Sequence, residues 1–122
     1  MNAINSLINP ARLKANLPRH DDAYALILQL QQSVAEEQAA MTNAWTANAL
    51  ATLGFHSHRL ASASLYLGVE GIGLPATALH EQIEQGATQA DIAQNWATLQ
   101  LACEQLQQLS PADLRMRLGE IY

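Results

Sequence analysis

The stretch Ala47-Asn48-Ala49-Leu50-Ala51-Thr52-Leu53-Gly54-Phe55-His56-Ser57-His58-Arg59-Leu60-Ala61-Ser62-Ala63-Ser64-Leu65-Tyr66-Leu67 decides the fold. Leu50, Leu53, Ser57, Leu60, Ser64 and Leu67 recur at alternating spacings of three and four, the seam of a helix packed in a bundle, with two small polar places in it. The spacing predicts one helix from Ala47 to Leu67, stopped by Gly68 as a left-handed residue just beyond its end. At about 100° per residue, His58 projects roughly 130° from the seam's centre and is expected to reach solvent, while His56 lies roughly 70° away on the other side, at a boundary. The neighbours of His58 on the helix surface, at i±3, i±4 and i+7, include Gly54, Phe55, Ala61, Ser62 and Leu65. Such an apolar, low-relief patch around one histidine marks contact with another protein, and Gly54, Ala61 and Ser62 are small enough to let a partner approach the imidazole. Gly54 costs the helix about 1 kcal/mol relative to alanine, which calls for a packing or a functional reason.

Outward from this segment, Ala, Leu and Gln dominate and β-branched residues are sparse and never alternate, so the class is all-α. A short helix is expected over 10–17, capped by Asn9 with Pro10 at its first position. A second runs from about Asp21 to Met41, with Thr42, Asn43 and Thr46 as cap-type residues around Trp45. Gly68 to Pro75, with three glycines and a proline, is expected to be irregular, so the fourth helix starts at Leu74 or Pro75 and closes at Gly86. Thr88 and Asp91 come close to a capping box for a fifth helix ending near Leu109. Ser110-Pro111 opens a last one to about Leu118. Four longer helices joined by short links predict an antiparallel four-helix bundle with short extra helices at its ends: one domain over 1–122, core about 21–109, flanking helices 10–17 and 111–118.

The charge balance excludes some classes. Six Lys and Arg against eleven Asp and Glu give a net charge of −5, with no basic stripe to neutralise phosphates, so no nucleic-acid partner is expected. With 49 % hydrophobic and only 14 % charged residues the chain is not disordered. A single cysteine, Cys103, allows no internal disulfide and no cysteine zinc site, and suits a reducing compartment. No apolar run approaches the roughly 18 residues of a membrane span. Met1 to Leu17 does not read as a signal peptide, so the expected location is cytoplasmic, without membrane insertion.

His58-Arg59-Leu60, followed by small residues and then by Gly68 ten positions after the histidine, resembles the signature of the histidine phosphotransfer (HPt) domains of two-component phosphorelays, His-x-Leu-Lys-Gly, small residues, Gly. The resemblance extends over about Asp22 to Leu109, with a long amphipathic helix upstream, an apolar Ile72 after the glycine, and Leu79-His80-Glu81 near a Leu-Glu-like end. It departs from the family where the usual lysine falls on Ala61 and the usual glycine on Ser62, and where Gly71, Gly73 and Pro75 interrupt a helix that members run through.

The resemblance implies a phosphocarrier and not an enzyme in its own right. His58 takes a phosphoryl group from a receiver domain's aspartate and passes it to another, while Gly54, Phe55, Arg59, Ala61, Ser62 and Leu65 form the docking face. The partners implied are receiver domains of a hybrid kinase or response regulator, with Mg²⁺ only in the receiver, no cofactor or metal here, and a monomeric carrier. A neutral imidazole is a good nucleophile near neutral pH, and phosphoryl transfer asks mainly for positioning and charge stabilisation. The missing lysine predicts weaker charge stabilisation, with Arg59 the nearest cation in sequence and Arg12, Lys14 and Arg19 as more distant candidates. A pseudo-HPt adaptor, binding a receiver without transfer, is the alternative. His56 and His58 diverge by roughly 200° and cannot share a metal ion. His20 and His80 read as surface residues, Trp45 and Trp96 as core or end plugs, Cys103 as a buried small hydrophobe, and Glu81 and Glu84 as a solvated face.

Overall fold

A computed structural model describes residues 7–122; the first six positions of the expected 1–122 domain lie outside the described residues. Among the described residues all regular structure is helical: α1 Pro10–Asn16, α2 His20–Thr46, α3 Leu50–Tyr66, α4 Glu70–Glu84, α5 Gln89–Gln108 and α6 Pro111–Ile121. The helices pack together around one core, α3 on α4, α4 on α5, and α2 against α3, α5 and α6. No helix among the described residues is long and apolar enough to cross a membrane.

The α3 seam folds as its spacing predicts: Leu53, Ser57, Leu60, Ser64 and Leu67 are buried. The Ser57 hydroxyl donates to the Leu53 carbonyl at 2.9 Å, which satisfies a polar group that burial otherwise penalises. Asn9 caps α1 by accepting from the Arg12 amide, and Thr88 with Asp91 forms a complete capping box on α5. The Thr88 amide, and after it the Thr88 hydroxyl, hold the exposed Asp91 carboxyl below its usual range.

Three boundaries differ from expectation. The second helix runs on to Thr46, because Met41 and Ala44 are buried and Trp45 stacks on Trp96 at 5.4 Å. The break comes instead at Asn48, whose φ of 53° is one asparagine tolerates; the third helix therefore opens at Leu50 and not at Ala47. The largest difference is at 68–75. Rather than an irregular segment, the chain turns at Gly68 and α4 begins at Glu70, with Pro75 inside it. Proline at the sixth position forfeits one bond near the helix start, while Val69, Ile72, Ala76 and Leu79, all fully buried, hold the turn and helix in the core. Gly73 suits this packing, since a Cβ there would stand 2.5 Å from Leu65 Cδ2. Finally α6 continues through Gly119 to Ile121, and the Tyr122 hydroxyl donates to the Leu17 carbonyl at 2.6 Å.

Candidate functional site

His58 sits midway along α3, exposed, and neither of its ring nitrogens has a hydrogen-bond partner among the described residues. Its face is not open all round. The His80 ring, from α4, lies against it at 4.7 Å between centroids and 39° between planes. His80 is in turn fixed by a hydrogen bond of 3.1 Å between Nδ1 and the Gly54 carbonyl. A carbonyl only accepts, so Nδ1 carries the proton and Nε2 is the nitrogen left for other partners. Glu84 Oε1 stands 4.0 Å from that Nε2, on a side chain that is largely exposed.

Gly54 explains the approach. A Cβ at this position would meet Ile83 Cγ2 at 3.3 Å and His80 Nδ1 at 3.7 Å. The glycine brings α4 close enough for His80 to reach the α3 backbone, which supplies the packing reason for its cost in helix propensity.

His56 points the other way, toward α2. Its Nδ1 donates to Glu37 Oε2 at 2.7 Å, and the second oxygen of that half-buried carboxylate forms an ion pair with Arg59 at 3.4 Å. Arg59 also lies over the Phe55 ring, 5.5 Å from its centroid. The two histidines on α3 thus serve two different neighbouring helices, as their angular separation requires.

The expected docking face divides accordingly. Phe55, Arg59 and Ser62 are exposed. Gly54 and Ala61 are not on the surface: both are buried, Gly54 against Ile83 and Ala61 within the core. Leu65 is half-buried, packed on Gly73. The helical wheel placed these three beside His58 correctly but could not show that α4 covers that side. Ser62 and Tyr66 instead border an open groove of about 470 Å³ between α2 and α3, floored by Leu26, Leu30 and Leu67.

Three of the four cations named as substitutes for the missing lysine are engaged elsewhere. Arg59 is held by Glu37, Arg12 pairs with Glu70 at 3.4 Å, and Lys14 lies over the Tyr122 ring at 5.9 Å. The basic group the structure brings to His58 is His80, which sequence reasoning read as a plain surface residue. Cys103 is fully buried on the core stripe of α5, and burial pushes its thiol up to about 12, with Glu104 adding to the shift.

No family model, no curated protein and no solved structure matches the chain.

Proposed function

We propose that this chain is a histidine phosphotransfer carrier, with His58 as the phospho-accepting residue. The observation that carries the reading is the exposed His58 ring, free of hydrogen bonds among the described residues, standing out from the middle of a packed helix. Its Nε2 lone pair attacks the phosphorus of a receiver's aspartyl phosphate. An N–P bond forms as the acyl O–P bond breaks, the aspartate leaves as carboxylate, and the reverse step delivers the phosphoryl group to a second receiver. The receiver supplies Mg²⁺, lysine and acidic pocket, so the carrier needs a positioned nucleophile and a surface that fits. Phe55, Arg59 and Ser62 are the docking residues that this reading retains. In the same reading α2 to α5 form an antiparallel four-helix bundle, and the protein works as a cytoplasmic monomer.

The test is transfer of label from the receiver domains of the source organism, each phosphorylated with acetyl phosphate in the presence of Mg²⁺. Acid-labile, base-stable phosphate is expected on the wild type and on His56→Gln but not on His58→Gln. Equal labelling of the two variants overturns the site, and no transfer from any receiver overturns the function.

One observation favours the pseudo-HPt adaptor as a second reading: the arginine next in sequence to His58 is tied to Glu37. An adaptor binds receivers equally well after His58→Ala and loses binding after Phe55→Glu.

A further inference from the structure

We propose that His80 is a phosphoryl-binding partner of His58, supplying from α4 the positive charge that a lysine on α3 would otherwise provide. The inference rests on the phosphocarrier reading of His58 and deepens it. Position 61, one turn after His58, is a buried alanine. The side chain that does meet the His58 ring is an imidazole, 4.7 Å away, from the neighbouring helix.

Three features suit His80 to the task. Its orientation is set, because Nδ1 is committed to the Gly54 carbonyl at 3.1 Å. Its free nitrogen is therefore Nε2, which takes a proton from solvent and donates it in a hydrogen bond to a phosphoryl oxygen. Its side chain is 26 % exposed, so the ring is neither sealed from solvent nor loose in it. The titratable groups that face it are His58 from α3 and Glu84 from its own helix; α5, also packed on α4, sets no acidic side chain in ion-pair contact with it among the described residues. Glu84 at 4.0 Å is long for an ion pair and well exposed, so an incoming phosphoryl oxygen displaces it without a buried charge being stranded.

The charge logic is consistent. The nucleophile is an unprotonated ring nitrogen of His58. When His58 Nε2 bonds to phosphorus and the donor's leaving group departs, the ring acquires a phosphoryl group with two negative charges, and the His80 imidazolium beside it forms a charge-assisted hydrogen bond.

The experiment uses potassium phosphoramidate as phosphodonor, so that no receiver is needed: His58 attacks phosphorus, the P–N bond of the donor breaks, and ammonia leaves. Labelling rate and phosphohistidine lifetime are followed by ³¹P NMR for wild type, His58→Gln, His80→Gln and His80→Lys, with thermal melts as a check on folding. His80→Gln is expected to slow labelling or shorten the lifetime by about tenfold, the scale of one charge-assisted hydrogen bond. His80→Lys, which restores charge but not the ring, is expected to recover to within about threefold of wild type, since the bond is charge-assisted. His80→Gln behaving as wild type, or His80→Lys as poor as His80→Gln, overturns the role of His80. Labelling that is lost in His58→Gln and depends on His80, without transfer from any receiver, supports the pairing and overturns only the phosphocarrier reading. No phosphate on His58 of the wild type overturns both.

Discussion

Gly68→Ala tests how the N-terminal helix is attached. Gly68 has φ +71°, and an added Cβ would lie 2.8 Å from the Asn9 carbonyl oxygen and 2.9 Å from the Leu13 amide nitrogen, both backbone atoms that cannot swing aside. The Gly68 carbonyl also accepts from the Asn9 amide at 2.7 Å. Placing alanine in the left-handed region costs about 1–2 kcal/mol. Pushing α1 away weakens a hydrogen bond worth about 1 kcal/mol. It also begins to expose Leu13, whose full burial is worth about 1.5–3 kcal/mol. With partial relaxation the sum is about 3–4 kcal/mol. Gly86 is the internal control: its φ is +86°, yet a Cβ there meets nothing within 4 Å. Gly86→Ala should therefore cost only the backbone strain, about 1–2 kcal/mol. Urea denaturation at constant slope measures both. Trypsin provides a second reading, because Arg12 and Lys14 lie in α1 and should become cleavable in Gly68→Ala alone. Equal destabilisation by the two substitutions, with α1 still protected, refutes the argument that backbone contact at Gly68 anchors that helix.

The core and the α2–α3 contact carry further expected outcomes. Cys103 should resist maleimide in the native protein by more than about a thousandfold relative to the chain in urea, since reaction must await opening of a domain stable by at least about 5 kcal/mol. Its native thiol keeps its proton to about 12 against an ordinary value of 9.0. Between those values the unfolded chain binds fewer protons, so stability falls as pH rises through the window; Tyr122 shifts in the same sense, and Cys103→Ala isolates the thiol's part of the slope. Glu37→Ala should destabilise by about 1–3 kcal/mol, because it strands the half-buried His56 donor. In double-mutant cycles the coupling of Glu37 to His56 should exceed its coupling to the exposed Arg59, where solvent leaves about 0–1 kcal/mol. The reverse order contradicts the geometry.

The helical periods were legible because each rests on local chemistry. The α3 seam, the Asn9 cap and the Thr88–Asp91 box are written in residues three or four apart, and they formed where the sequence put them. What escaped was decided by distant contacts. Trp96 holds Trp45, so cap-type residues at 42–46 do not end α2. Buried Val69 and Ile72 keep the glycines and Pro75 of 70–75 helical against their propensities. Nothing within α2 marks out Glu37; its role appears only when His56 and Arg59 arrive from α3.

His80 was missed for a related and more instructive reason. An antiparallel pair joined by a tight turn brings together residues equally far from that turn. Leu65 and Gly73 stand four residues either side of Val69, and they touch; His58 and His80 stand eleven either side, and their rings meet. Once the turn is put at Gly68–Val69, the sequence itself pairs the two histidines. Reading 68–75 as irregular loosened the register and left His80 unassigned. To within one residue the same register puts Gly54 opposite Ile83, where a missing side chain draws the helices close enough for His80 to bond the Gly54 carbonyl. Gly54 and His80 are then one device, in which a glycine on α3 admits a histidine from α4 and orients it. Its consequence can be measured: Gly54→Val, with a branched side chain forced against Ile83, should perturb phosphorylation of His58 in the same sense as His80→Gln, while a variant elsewhere on the surface, such as Gln107→Ala on α5, should leave phosphoramidate labelling unchanged.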